Sequence, residues 1–262
     1  MRNNLISQSN SGLAACHDAA AFTLAEVLIT IAVIGIVAAI TIPALITGIR
    51  SAQYKSRFRK GVSTLSQAAR MSKAMYGFDY AGINTRCGDN PAEENPEEIM
   101  SVCALLNGTL TGITYMKYRD VKRVSKGQSA AYDIESDWLQ ANSTLSAQSH
   151  IYLLSDGSIV GLNANIGNNG CYLGTGDSLS YSYTDTDNNT SLAYCTGWID
   201  VNGTSLPNKE VSCSQGSNKL YNNDCVVKND AAHMTDIYPI RFHDGIVEGG
   251  TASARYVLKT AK

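Results

Sequence analysis

Six of the seven cysteines give this sequence its clearest capacity for covalent chemistry. All of them follow a long apolar run near the N-terminus, and they are Cys87, Cys103, Cys171, Cys195, Cys213 and Cys225. An even number of cysteines in polar, loop-rich sequence is typical of an oxidising compartment and predicts up to three disulfides. Pairing between neighbours along the chain is our preferred arrangement, and six reduced thiols are the alternative. No Cys-x-x-Cys spacing occurs, so a zinc site is a weaker expectation.

Four histidines are the candidates for acid–base chemistry: His17, His150, His233 and His243. None occurs in His-Glu-x-x-His spacing, and the chain has neither a Gly-x-Ser-x-Gly sequence nor a Walker-type loop. We therefore predict that the protein is not an enzyme and assign it no catalytic residue. A net charge of −2 provides no basic field, so nucleic-acid binding is not expected either.

A single carboxylate, Glu26, stands at the start of the apolar run. Residues 27–46 carry no charge, and a helix of that length spans about 30 Å, the thickness of a bilayer core. The run is apolar on all sides, unlike the one-sided pattern of a surface helix. Because a carboxylate in hydrocarbon costs about 2.5–3.5 kcal/mol, Glu26 needs a cationic partner.

Three ordinary targeting segments compete for this run. A cleaved secretory signal would have a shorter apolar stretch and a small-residue exit site, which Pro43 interrupts. A plain signal anchor explains the hydrophobicity but not Glu26. Residues 13–16, which end in Cys16, suggest a lipoprotein signal, but the polar residues before them offer no apolar region. Each of these interpretations leaves one observation unexplained.

Residues 21–29, Ala-Phe-Thr-Leu-Ala-Glu-Val-Leu-Ile, resemble the prepilin-type processing motif of type IV pilins and type II secretion pseudopilins. The likeness covers roughly residues 18–50. It implies that a membrane aspartyl peptidase cuts between Ala21 and Phe22 and methylates the new amine of Phe22. Residues 1–21 would then be a leader peptide. Ala21 stands where the family usually has glycine.

The resemblance also implies a partner for Glu26. In a helix, the new amine of Phe22 would lie one turn away from Glu26. In the family, this carboxylate meets the amine of a neighbouring subunit and sets the axial register of a fibre. The alternative is that Glu26 only favours the positive N-terminal end of its helix, which is worth about 0.3–1 kcal/mol.

Two residues are expected to weaken the helix inside the apolar run. Gly35 lowers helix propensity, and Pro43 removes a backbone donor. In the family such points bend or melt when subunits pack into the fibre, so the resemblance gives Gly35 and Pro43 a role in assembly. An ordinary helix kink is the alternative.

Residues 50–76 change to a one-sided pattern. Apolar side chains recur at steps of three, four or seven, at Tyr54, Phe58, Val62, Leu65, Ala69 and Tyr76. The spacing predicts an amphipathic continuation of one helix that runs from residue 22 to about residue 76, packs its stripe on a sheet and ends at Gly77.

A basic cluster occupies residues 50–60. These side chains could contact anionic lipid head groups, although a solvated face is the more ordinary expectation. Counted against the single Arg2 upstream, they would keep the rest of the chain in the cytoplasm by the positive-inside rule. The cysteines indicate an extracytoplasmic head, and we follow the cysteines.

Residues 77–262 form the predicted head. Asn95, Pro96 and the acids after them predict a helix start, with the helix running to about Leu106. Residues 134–142 are a second helix candidate. After that the signals are those of strands, with hairpin turns predicted at Asp-Gly 156–157, Asn-Gly 202–203 and Asp-Gly 244–245.

Two details of the predicted sheet can be tested directly. Pro239 predicts that its strand lies at a sheet edge, and residues 254–258 are expected to form a closing strand. The fold class is therefore α+β: a long N-terminal helix, membrane-spanning over 22–49 and amphipathic over 50–76, packed on an antiparallel sheet. This plan agrees with the pilin-like fold that the N-terminus implies.

One turn carries a candidate metal site. Asp200 and Asn202 supply oxygen atoms at positions i and i+2, which suits a hard cation such as calcium. The segment is also similar to the C-terminal part of secretion pseudopilins, some of which hold calcium. The ligand set is incomplete, and Asn-Gly is itself a common hairpin turn, so a plain turn is the stronger expectation. No other cofactor is predicted.

The resemblance implies a structural subunit: a pilin, minor pilin or pseudopilin of a type IV pilus or type II secretion-type filament. Its partners would be other such subunits, the prepilin peptidase, inner-membrane lipid and the assembly platform. Its head would lie outside the cytoplasmic membrane, first on one membrane pass and then in the filament. The alternatives are an anchored binding or adhesion module that uses residues 174–190, and an anchored hydrolase.

Overall fold

The structure is a computed structural model. It describes residues 23–116, 150–162, 170–171, 182–184, 190–192, 195–203, 205, 207, 209–219, 222–228 and 233–260. The chain divides into two compact units, Met1–Ala44 and Leu45–Lys262. The helix candidate at 134–142 lies outside the described residues.

Helix α1 comprises Leu24–Tyr76. Its end was predicted correctly: Gly77 takes a positive φ of 84°, and its amide donates to the carbonyl of Lys73 at 3.2 Å. A glycine in the left-handed region terminates a helix at no steric cost, because it has no Cβ. Gly35 and Pro43 both lie inside the helix.

The amphipathic stripe of α1 is confirmed. Tyr54, Phe58, Leu65 and Ala69 are buried, whereas Val62 and Tyr76 are half-buried at the edge of the core. The ring of Phe58 stacks on that of Tyr238, with centroids 4.3 Å apart and planes at 14°. Burial of this stripe fixes the second half of α1 against the head.

The head is built on a six-stranded antiparallel sheet in the order β1-β2-β3-β6-β7-β8. Its strands are β1 (Thr114–Met116), β2 (His150–Leu153), β3 (Ile159–Leu162), β6 (Cys195–Asp200), β7 (Ile237–His243) and β8 (Ile246–Gly249). A separate pair joins β4 (Ser182–Thr184) to β5 (Thr190–Leu192). Strand β4 and the first residue of β5 lie within residues 174–190, the segment that the adhesion alternative would use.

The predicted hairpins at the two Asp-Gly turns are confirmed. Strands β2 and β3 pair antiparallel around residues 156–157, and β7 and β8 pair around 244–245. Strand β6 ends at Asp200, just before the predicted Asn-Gly turn. In each case the turn residues and the alternating apolar pattern point to the same structure.

Both faces of the sheet are buried. Along a strand, successive side chains point to opposite faces. Tyr152, Val160, Ile199 and Tyr238 are paired across four strands and belong to the core cluster that contains the α1 stripe. The residues one step along, including Trp198, lie on the opposite face and are also almost fully buried.

The edge-strand prediction for Pro239 is wrong. Strand β7 pairs with β6 on one side and β8 on the other. The carbonyl of Pro239 accepts from Gly250, beyond the end of β8. Since the amide position of a strand residue faces the same side as its carbonyl, the missing N–H falls where β8 has already ended. An interior strand therefore tolerates this proline.

The first head helix was placed too early. Helix α2 spans Val102–Thr109, and its N-cap is Ser101, whose Oγ accepts from the amide of Ala104 at 2.9 Å. Asn95 instead closes a turn, in which its carbonyl accepts from the amides of Glu98 and Ile99. Both positions have capping residues, and the burial of the apolar stretch after Ser101 selects the second one.

The expected closing strand at 254–258 is also wrong. Helix α3, Ala252–Thr260, occupies this position and buries Ala254 and Val257. Thr251 caps its start: the hydroxyl accepts from the amide of Ala254 at 3.2 Å, and the carbonyl accepts from Arg255 at 3.0 Å. Arginine, leucine and lysine at the following positions are good helix formers.

Loss of this cap should have a measurable cost. We expect Thr251→Ala to lower the free energy of unfolding by about 1 kcal/mol, because the amide of Ala254 loses its acceptor. Thr260→Ala is the matched control, because its exposed hydroxyl bonds only back to the carbonyl of Tyr256. Urea unfolding of both variants would measure the difference, and equal losses would contradict the capping role.

Candidate functional site

The start of α1 is a reciprocal capping arrangement between Thr23 and Glu26. One carboxylate oxygen, Oε2 of Glu26, accepts from the amide of Thr23 at 2.9 Å and from its hydroxyl at 2.8 Å. In return the amide of Glu26 reaches Oγ1 of Thr23 at 3.2 Å. Thr-Leu-Ala-Glu is the sequence form of the capping box. The capping box can therefore be recognised in the sequence. The helix-dipole explanation of Glu26 does not include its hydrogen bonds with Thr23.

The first part of α1, which contains Glu26, is apolar and unburied. Leu24–Ile42 is long and apolar enough to cross a membrane, with a mean hydropathy of 2.5 and none of its residues buried. Glu26 is the one charged residue in this span. A signal sequence near the N-terminus can pass the same test of length and hydropathy, so Glu26 is the feature that separates a pilin-type segment from a signal sequence.

The capping box leaves Glu26 able to bind a cation. An ionised carboxylate offers about four lone-pair positions on its two oxygens. Both bonds from Thr23 go to Oε2. A cation could therefore join Glu26 without displacing Thr23.

The other predicted assembly residues are placed as follows. Ala21 and Phe22 lie outside the described residues. Among the described residues, no atom lies within 4 Å of the position that a Cβ at Gly35 would occupy. Pro43 lies within the helical backbone.

The three disulfides of the structure join cysteines that are consecutive in the chain: Cys87–Cys103, Cys171–Cys195 and Cys213–Cys225. Their Cα–Cα distances are 5.7, 5.3 and 5.3 Å, within the ordinary range for disulfides. The first ties the segment after α1 to α2, and the second ties Cys171 to the start of β6. Each disulfide closes a stretch of irregular chain, and Cys171–Cys195 fastens one such stretch directly to the sheet.

The basic cluster at 50–60 is partly used inside the head. Arg57 donates to the carbonyl of Val201 at 3.2 Å, and Arg59 donates to the carbonyl of Leu258, near the end of α3, at 2.9 Å. Lys60 pairs with Asp156 at 3.0 Å. These cations of α1 thus contact three separate parts of the head. This use differs from the two predicted alternatives, contact with lipid and exposure to solvent.

The candidate calcium residues form a turn. Asp200 is buried, and its Oδ1 accepts from the amide of Asn202 at 2.9 Å. The side-chain amide nitrogen of Asn202 donates to the carbonyl of Ser205 at 3.2 Å. This is the geometry of an Asx turn.

His243 is a buried histidine whose two ring nitrogens both have carboxylate neighbours. The ring is buried, with Nδ1 2.9 Å from Asp244 and Nε2 3.3 Å from Glu248. Arg241 also contacts Glu248. Both ring nitrogens therefore face carboxylates, and the ring belongs to a cluster of polar side chains that includes Arg241 and Glu248.

Taken together, these features define a class of protein: one exposed apolar N-terminal helix that can anchor the chain in a membrane, and a separate disulfide-bonded α+β head. A family model described as the prokaryotic N-terminal methylation motif matches residues 16–42. The match includes Glu26 and the start of the apolar helix. It supports the type IV pilin-like or pseudopilin family, and the α+β head is consistent with that fold. No curated protein and no solved structure matches the chain.

The motif points to a structural subunit rather than an enzyme. In general terms it implies association with other pilin-type subunits and with a prepilin peptidase. The capping box and the exposed helix, considered with this motif, make the N-terminal segment the candidate functional site.

Proposed function

We propose that this protein is a structural subunit of a type IV pilus or type II secretion-type filament, as a pilin, minor pilin or pseudopilin. A peptidase removes residues 1–21 by cutting between Ala21 and Phe22. Residues 22–49 then anchor the subunit in the inner membrane and later enter the filament core. Residues 50–76 join this segment to the extracytoplasmic head, residues 77–262.

The lone carboxylate of Glu26 carries the proposal. It lies in a helix that is otherwise uncharged from Leu24 to Ile42 and exposed along its length. A charge kept in such a place has a cost, which a simple membrane anchor would avoid by using an apolar residue. A cationic amine, released by cleavage at Phe22, offsets this cost.

The partner is the amine of a neighbouring subunit. Within one chain, Glu26 is already hydrogen-bonded to Thr23, and the amide of Thr23 remains a peptide amide after cleavage. The capping box therefore survives processing and holds the carboxylate at the helix start. An amine supplied by the next subunit would meet a pre-positioned anion, which fixes the axial register of the two helices.

The head supports an extracytoplasmic location. Three disulfides persist in oxidising compartments and are rare in the cytoplasm.

The platform that extracts the subunit and the lipid that surrounds it would contact residues 22–49. The head would then lie outside the filament core.

Processing is the direct test of this proposal. We expect the protein recovered from its native membrane to begin at Phe22 and to carry one methyl group on its amine. Intact-mass measurement and N-terminal sequencing would detect both changes. Ala21→Gly, which restores the usual family residue, should be cut at least as completely as the natural chain, whereas a bulky Ala21→Leu should accumulate uncut.

Two results would contradict the proposal. A mature protein that still begins at Met1 would show that no leader is removed. A mature protein that begins after Pro43 would show that the apolar run is a secretory signal, because the entire candidate anchor would then be lost.

A further inference from the structure

The Cys87–Cys103 disulfide lies beside a histidine that comes from a distant part of the chain. The two sulfurs and a ring nitrogen of His150 all lie within 4.8 Å of one another. Cys103, in α2, is fully buried, whereas Cys87 and His150 are half-buried. Three segments therefore meet here: the segment after α1, helix α2 and strand β2.

The histidine is held in place by a contact with the neighbouring strand. Its Nδ1 lies 3.4 Å from the hydroxyl of Tyr115 on the neighbouring strand β1. A hydrogen bond to the imidazole ring commonly fixes the orientation of a metal-binding histidine.

We propose that Cys87, Cys103 and His150 form a binding site for a divalent cation of the zinc class when the Cys87–Cys103 disulfide is open. A dithiol reductant supplies the two electrons and two protons that convert the disulfide into two thiols, and is itself oxidised to a disulfide. The cation then replaces the two thiol protons, which are released to solvent. Two thiolates balance its charge, and His150 is the third ligand.

The geometry is close to that required. In a tetrahedral zinc site the ligand atoms lie about 3.5–3.8 Å apart, given Zn–S and Zn–N distances of about 2.3 and 2.0 Å. The sulfurs must separate from bonding distance, and the ring nitrogen must approach by an ångström or so from the limit of 4.8 Å. A fourth position remains for water, as in zinc sites with three protein ligands.

The other two disulfides serve as internal controls. Among the described residues, no second group of three such ligands comes together. Cys213–Cys225 closes a shorter loop than Cys87–Cys103, with a sequence separation of 12 against 16. Removal of the Cys87–Cys103 pair or of the Cys213–Cys225 pair leaves the same number of thiols in the reduced protein. Only the first removal takes away the sulfur atoms beside His150.

The test uses the full chain in detergent with Cys16→Ser as the background. Each protein is reduced with a dithiol, freed of reductant without oxygen and titrated with Cd²⁺, and thiolate binding is followed by its ultraviolet charge-transfer band. We expect the Cys213→Ser/Cys225→Ser variant to bind Cd²⁺ about tenfold or more tightly than the Cys87→Ser/Cys103→Ser variant, a difference of the size expected for a well-placed ligand. The oxidised protein should not show the band.

A single substitution at His150 gives a second test of the cation site. His150→Ala keeps all six head cysteines and should weaken Cd²⁺ binding about tenfold or more where Cys87 and Cys103 are present. Circular dichroism checks that each variant is folded. Equal affinities of the two cysteine-pair variants, or an unchanged affinity in His150→Ala, would overturn the proposal.

Discussion

Replacement of Glu26 by alanine should abolish filament assembly and leave membrane insertion intact. The substitution removes the one charge in an otherwise apolar span, so insertion becomes more favourable by up to about 2.5–3.5 kcal/mol. The neighbouring amine, however, loses its counter-charge and would have to enter hydrocarbon unpaired. We expect filament mass in sheared cell fractions to fall at least tenfold, with normal amounts of the processed subunit in the membrane.

Two further variants separate the charge of Glu26 from its capping role. Glu26→Gln keeps an oxygen that can accept from Thr23 but removes the charge, since a glutamine can serve in a capping box. Thr23→Ala keeps the charge but removes the hydroxyl and costs the helix about 1 kcal/mol. If the ion pair sets register, Glu26→Gln should fail like Glu26→Ala, and Thr23→Ala should still assemble.

The reverse pattern would identify a different cause. Normal filaments from Glu26→Gln, together with loss of assembly in Thr23→Ala, would mean that Glu26 acts as a helix cap and not as an anion. Normal filaments from Glu26→Ala would exclude both roles. For every variant, the sheared fraction measures filaments and the membrane fraction measures inserted subunit. A defect in insertion is therefore distinguished from a defect in assembly.

Local signals predicted the elements that local chemistry controls. The stripe from Tyr54 to Ala69 and the stop at Gly77 depend on spacing and on one residue type, and both can be read along the chain. The two Asp-Gly hairpins were found for the same reason. The start of α2 could not be chosen by this means, because Asn95 and Ser101 both suit a cap and tertiary burial decides between them.

The features that could not be predicted depend on segments that are far apart in the sequence. Pro239 is acceptable in an interior strand only because β8 ends beside it, and strand ends depend on pairing with a remote segment. His150 could not be associated with Cys87 or Cys103 from the sequence, since the tertiary packing of β2 beside α2 and the segment after α1 brings them together. The capping box was different: its four residues are adjacent, and the signal was present but overlooked.

Gly161→Ala should strongly destabilise the head, because the added methyl group has no room between two strands. Gly161 lies in β3 directly opposite Trp198 of β6, and a Cβ at position 161 would stand 2.1 Å from the indole ring. Trp198 is only 1% exposed and cannot move aside without disturbing the buried face of the sheet. Overpacking of a rigid core costs about 1–3 kcal/mol and sometimes more, and we expect about 3 kcal/mol for this substitution.

Urea unfolding of the purified protein, followed by circular dichroism, measures this loss against two controls. Gly245→Ala adds the same methyl in the β7–β8 turn, where a Cβ would make an ordinary contact of 3.6 Å with Arg70, and should change stability little. Trp198→Phe, combined with Gly161→Ala, should cost less than the sum of the two single changes, because the smaller ring makes room for the methyl. If the two losses were simply additive, the indole would not be what excludes a side chain at position 161, and the close approach between β3 and β6 would need another explanation.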